Sequence, residues 1–128
     1  MDWRFRNDLP IYTQLVEKIK LGVLSGELPP GSRLPPVREL AAQAGVNPNT
    51  MQRAMQELER EGLVFPQRTA GRFVTEDKNV IDGIRQELAA RHIADFFAAM
   101  TELGCDRGEI LALLEEEKEG EAHADPGM

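Results

Sequence analysis

Apolar residues along this chain recur mostly at three- and four-residue spacing, the period of helices that bury one face. Ile11, Leu15, Ile19 and Val23, with Tyr12 and Val16 alongside, form the first such face after Pro10, and Gly26 ends it. Leu28-Pro29-Pro30-Gly31 is turn chemistry. Pro36 suits the first turn of a second helix, where a missing N–H costs nothing. Val37, Leu40, Ala41 and Ala44 are its buried face, and Gly45 is its stop. The third run is the clearest. Asn47 is an N-cap and Pro48 a first-turn residue. Met51, Ala54, Met55 and Leu58 repeat along one face until Gly62, while Asn49, Gln52, Arg53, Gln56 and Arg60 fall on the other.

Beyond Gly62 the period changes. Leu63-Val64-Phe65, a polar turn from Pro66 to Gly71, and Arg72-Phe73-Val74-Thr75 predict two short strands of a hairpin. Two helices joined by a short turn and followed by a hairpin are the order of a winged helix-turn-helix. From Asp77 to about Leu103 a longer helical stripe carries Ile81, Ile84, Leu88, His92, Phe96, Ala99 and Leu103, and Gly104 breaks it. Asp106 and Glu109 have the spacing of a capping box. They open a short last helix expected to bury Ile110, Leu111 and Leu114. The expected class is mostly α with a small β-hairpin. Residues 1–76 form the winged helix-turn-helix, 77–115 a two-helix dimerisation appendage, and 116–128 an acidic, disordered tail.

Charge changes the picture in one respect. The whole chain carries −7, which argues at first against an anionic partner. Residues 1–75, however, hold 10 Lys+Arg against 8 Asp+Glu, or +2, and residues 76–128 hold 5 against 14, or −9. Arg33, Arg38, Arg53, Arg60, Arg68 and Arg72 crowd one stretch of the basic part. The chain's 128 residues suit about one domain. No apolar run approaches the ~20 residues of a membrane span, and MDWRFRNDLP lacks the apolar core of a secretory signal. Cys105 is the only cysteine, so no intrachain disulfide forms and a reducing cytoplasm is expected. There is no phosphate loop and no Ser-His-Asp arrangement, and His92 and His123 are not at metal-ligand spacing. No enzyme, cofactor or metal is therefore expected. His92 reads as an interface histidine, Cys105 as a buried free thiol.

Five segments in order carry a family resemblance: Pro10-Ile11-Tyr12-Thr13-Gln14-Leu15, then Gly26 to Pro35, then Arg38-Glu39-Leu40-Ala41 with Gly45 to Thr50, then Glu61-Gly62-Leu63-Val64, and last Gly71-Arg72-Phe73-Val74. Together they resemble the GntR family of bacterial regulators over about residues 9–75. The Asn47-Pro48-Asn49-Thr50 turn and the short C-terminal part resemble its YtrA-type branch, which has only a pair of helices after the winged helix. Two positions depart from the family pattern. Pro36 stands where many members have Ser, and the wing tip reads Thr69-Ala70-Gly71 in place of Gly-x-Gly.

In such a fold the third helix enters the major groove with its N-terminal residues at base edges. Asn47, Asn49 and Thr50 occupy that end, and Gln52 and Arg53 follow one turn later. The resemblance implies a DNA-contacting role for Arg38 and wing contacts from Arg68, Thr69, Gly71 and Arg72. Blander roles compete: Asn47 caps its helix in any case, Arg38 could pair with Glu39 or Glu57, and Arg33 and Arg60 read as solvated or structural. Ile84, Leu88, His92, Phe96, Phe97, Met100 and Leu103 are expected to form a homodimer interface, with part of that stripe packing on the first helix instead. The expected function is a homodimeric repressor on a pseudo-palindromic site in double-stranded DNA. The resemblance suggests a transporter operon as target. An unknown effector could bind at the dimer interface or between lobes. The alternative is a winged-helix protein-interaction module that no longer binds DNA.

Overall fold

The computed structural model describes residues 1–68 and 70–123. In chain order the elements are α1 (Ile11–Leu24), α2 (Val37–Ala44), α3 (Pro48–Arg60), β1 (Val64–Gln67), β2 (Gly71–Val74), α4 (Lys78–Glu102) and α5 (Arg107–His123). They divide into two compact units, Met1–Arg85 and Gln86–Met128.

In the first unit α1 and α2 both pack against α3. The spacing of apolar residues explains why. Leu15 and Ile19 of α1, Met51, Met55 and Leu58 of α3, and Leu63 just beyond are all buried to 1 % exposure or less. Each such side chain contributes roughly 1.5–3 kcal/mol by leaving water. Ile11, at the start of the α1 face, is exposed. Pro36 sits one position earlier than expected, as the N-cap of α2, with ψ 153°. The residue ahead of a helix keeps an extended backbone, which proline's fixed φ permits. The α2–α3 turn depends on Gly45 at φ 71°, a left-handed conformation that a side chain would disfavour. Asn47 then closes the first turn of α3, its Oδ1 accepting from the Asn49 N–H at 2.7 Å. Asn47→Ala should cost about 1 kcal/mol, and urea denaturation should recover most of that loss in Asn47→Asp.

The hairpin pairs antiparallel, with Val64 opposite Val74 and Gln67 opposite Gly71. Phe65 and Phe73 face each other across it, ring centroids 6.1 Å apart. A third extended segment joins the sheet, and the sequence pattern did not predict it. Arg33 bridges to Phe73, the Leu34 N–H donates to the Arg72 carbonyl at 2.8 Å, and the Val74 N–H to the Ser32 carbonyl at 2.9 Å. A single buried apolar residue, Leu34, between Arg33 and a proline pair gives no alternation to read. A further tie in this unit is ionic: Lys20 of α1 donates to Glu61, at the C-cap of α3, over 2.8 Å, with both side chains largely buried.

In the second unit the Asp106–Glu109 capping box forms as expected: the Glu109 N–H donates to Asp106 at 2.8 Å and the Asp106 N–H to Glu109 at 3.2 Å. Leu88 and Ile110 are buried. Leu111 and Leu114, expected in the core, are instead about half exposed. Both line an apolar groove with Ile93, Phe96 and Phe97 of α4, and no other described residue of the chain covers them there. The helix also runs on to His123, beyond the Glu115 boundary expected for the tail, in keeping with the helix propensity of its Glu, Lys and Ala residues. Residues 124–128, the end of that tail, lie outside the described residues.

Candidate nucleic-acid interface

Helical geometry divides the exposed face of α3 into three tracks, each made of residues seven apart. Gln52 and Glu59 form one edge, Asn49 and Gln56 the centre, Arg53 and Arg60 the other edge. The first edge looks toward the wing. There Glu59 accepts a hydrogen bond from Arg72 of β2. The second edge looks toward α1, where the Arg53 guanidinium lies 3.8 Å from the centroid of the Tyr12 ring. That stacking holds a long side chain in one orientation at the margin of the face. Nothing in the sequence singled out Tyr12 for it, because Tyr12 reads as one more residue of an apolar stripe.

The wing-side edge borders a cleft of about 410 Å³. Arg38 from α2, Gln52 from α3 and Gly71 and Arg72 from the wing all line it, so three elements converge there. Arg33 lines it too. Gly71 has φ 88°, and a Cβ placed on it would meet the Arg33 guanidinium Nε at 3.2 Å. Asn49, Arg53 and Arg68 are exposed but lie outside the cleft, and Thr50 is half-buried. Thr69 lies outside the described residues.

The charges are distributed unevenly. Glu57, one partner considered for Arg38, is taken by Arg60 at 2.6 Å. The Arg60 guanidinium holds the Glu57 carboxyl below the usual carboxylate range. Arg38 makes no ion pair with any described residue. Arg72 differs from expectation: its guanidinium is committed to Glu59 and is only 22 % exposed, so it fastens the wing to α3 before it can serve anything else.

Residues 11–74 match the gntR family of bacterial regulatory proteins. The chain belongs to the GntR family. It is 40 % identical over 111 residues to YhcF of Bacillus subtilis (strain 168), named an uncharacterized HTH-type transcriptional regulator, covering 87 % of this chain and 92 % of that one. It is 43 % identical over 72 residues to the HTH-type transcriptional repressor YtrA of the same organism, covering 56 % of this chain and 55 % of YtrA, about half its length. Among solved structures, a GntR family transcriptional regulator from Listeria monocytogenes superposes with a TM-score of 0.78 at 35 % identity, over 88 % of this chain and 98 % of that one. The AraR DNA-binding domain in complex with operator ORX1 superposes at 0.52 with 30 % identity, over 56 % of this chain and 93 % of that domain.

GntR membership makes the chain a DNA-binding transcription regulator with a winged-helix fold, and the YtrA likeness expected from its sequence is among these matches. A family of regulators also bears out the expectation that the chain is no enzyme. Among the described residues no helix is long and apolar enough to cross a membrane, and no group of three His, Cys, Asp or Glu could hold a metal ion.

The second unit carries a different surface. Ile93, Phe96 and Phe97 of α4 and Leu111 and Leu114 of α5 line an apolar groove of about 510 Å³. His92 and Arg107 stand at its edges, and Arg107 lies over the Phe97 ring at 5.4 Å. Of the expected dimer residues, Ile84 and Leu88 are buried within the chain, Phe97 and Met100 are half-buried, and His92, Phe96 and Leu103 are exposed. Ile93, Leu111 and Leu114 were not expected on this surface. Cys105 is a half-buried free thiol.

Proposed function

We propose that this chain is a cytoplasmic, homodimeric repressor that binds a pseudo-palindromic operator, with neighbouring transporter genes as the candidate target. In this reading α3 lies in the major groove. Asn49 and Thr50 stand at base edges beside the Asn47 cap, and Gln52 and Arg53 flank them. Arg38 contacts DNA from α2, and the wing residues Arg68, Gly71 and Arg72 lie against the neighbouring backbone. The observation that carries the reading is the convergence of Arg38, Gln52 and the wing on one cleft that no carboxylate lines. Arg72 contributes mainly by fixing the wing, given its bond to Glu59.

The homodimer rests on two physical arguments. The groove of the second unit is almost wholly apolar, and a second copy of the same groove is its self-complementary cover. The first 75 residues carry only +2, so one copy makes few phosphate contacts, and a second half-site doubles them.

The test is selection of random duplex DNA on the purified protein, with affinity re-measured across a salt series. A two-fold symmetric motif should emerge, and Arg38→Ala or Asn49→Ala should bind it roughly ten- to a hundred-fold more weakly, as expected when a good base contact is lost. No enriched motif would sink the reading. Binding without a salt slope would point to a protein-interaction module.

A further inference from the structure

Arg33 was read from the sequence as solvated or structural, yet its placement suits a ligand. The segment that carries it is held edge-on to β2 by the Leu34–Arg72 and Val74–Ser32 hydrogen bonds. Arg33 stands opposite Phe73, so its side chain shares a sheet face with Gly71, two residues earlier in β2. Its guanidinium packs against the bare Cα of Gly71, with Nε, Nη2 and Cζ within 3.2–3.8 Å of where a Cβ would stand. The side chain is exposed but seated, and it has no ion-pair partner among the described residues.

Across the same cleft stands Arg38, also without an ion-pair partner among the described residues. Arg72, the third arginine there, is neutralised by Glu59. Two unneutralised guanidinium groups therefore face one cleft whose other lining residues, the paired Arg72 apart, are apolar or uncharged. Like charges converging on one space favour an anion between them, and a guanidinium matches the paired oxygens of a phosphate.

We propose that this cleft seats one backbone phosphodiester of bound DNA, with Arg33 as its wing-side ligand and Arg38 as the opposing one. The proposal rests on the DNA-binding reading above and adds a contact that positions the protein without reading sequence. Gly71 belongs to it as the position whose missing side chain lets Arg33 lie down on the wing.

The experiment compares wild type with Arg33→Gln and Arg33→Lys. Each is titrated with the selected duplex and with a scrambled duplex of equal length, from 50 to 200 mM KCl. Titrations are run well below each variant's melting temperature, so that a destabilised variant is still read while folded. Loss of one phosphate contact flattens the slope of log K against log[salt] by about 0.9. Two copies on a two-half-site duplex should flatten it by about 1.8, so that the advantage of wild type shrinks about tenfold across the series. Arg33→Gln should weaken both duplexes by the same factor, and Arg33→Lys, which keeps the charge, should keep the slope. Inorganic phosphate should compete no better than its ionic strength explains; stronger competition that Arg33→Gln abolishes would make the cleft a free-phosphate site and overturn the proposal. An unchanged slope in Arg33→Gln overturns it too, as does a loss confined to the selected duplex. A wild type that binds neither duplex would fail the DNA-binding reading itself, a different result from an unchanged variant slope.

Discussion

Lys20→Met is expected to destabilise the protein by about 3 kcal/mol, lowering its melting temperature by on the order of 10 °C. Lys20 is 4 % exposed, and its ammonium sits 2.8 Å from Glu61, whose side chain is 17 % exposed. Desolvating two charges is offset only while each has the other. Removing Lys20 leaves a carboxylate on the α3 C-cap that is partly cut off from water. It sits at the negative end of a helix, where an anion is least welcome. Glu61→Leu should be at least as costly, because it strands the more deeply buried partner. Replacing both should recover much of the loss, since an apolar pair of similar volume carries no desolvation penalty. Chemical denaturation of the two single variants and the double variant gives the coupling directly. Additive losses would show that the pair contributes nothing as a pair, and that each residue matters only for its own packing. A marginal loss in Lys20→Met would show that water reaches Glu61 well enough to solvate it alone.

This pair illustrates what the sequence leaves hidden. Lys20 directly follows Ile19 of the α1 stripe, and a lysine there reads as the wet shoulder of an amphipathic helix. Only the tertiary position of Glu61, forty-one residues on, turns it into a buried contact. The same holds for Arg53, whose stacking on Tyr12 joins two helices, and for Arg72, which looked like a free wing cation until Glu59 was placed beside it. The elements themselves were legible because local chemistry dictates them: Asn47-Pro48 starts α3, Gly45 forms the turn before it, and Asp106 with Glu109 starts α5. Contacts between elements were not, because periodicity gives the direction a side chain faces and never what stands opposite.

The candidate DNA face divides along the same line. Asn49, Gln52, Arg53 and Gln56 were readable as one polar face from helical spacing alone. Its connection to Arg38 and the wing needed the fold, and so did the place of Arg33. Three α3 tracks facing the wing, the solvent and α1 also separate roles that the sequence merges. The centre is free to meet base edges, while each margin is braced by a neighbouring element. A braced margin loses less side-chain entropy on binding, which matters in a protein with so few basic residues to spend on phosphates.

On the homodimer reading proposed above, Phe96→Glu is expected to convert the protein from dimer to monomer at micromolar concentration and to weaken binding to a two-half-site operator by roughly a hundredfold or more. Phe96 is 40 % exposed and stands edge-on to Phe97, with centroids 5.8 Å apart. A carboxylate at that position can reach water in a single chain, so the fold should survive, and the far-UV circular dichroism should be unchanged. In a two-fold pair the same groove meets itself. Each new carboxylate would then enter a pocket lined by Ile93, Leu111 and Leu114 and be desolvated there without a partner. Phe96→Leu, which keeps the surface apolar, should remain dimeric. The DNA result follows from the assembly result. A monomer engages one half-site with unchanged local contacts, so affinity for a half-site duplex should match wild type, and only the gain from the second half-site disappears. Sedimentation of Phe96→Glu at the wild-type mass would refute this interface. A variant that is monomeric yet binds the full operator as tightly as wild type would show that the two copies meet through DNA and not through this groove.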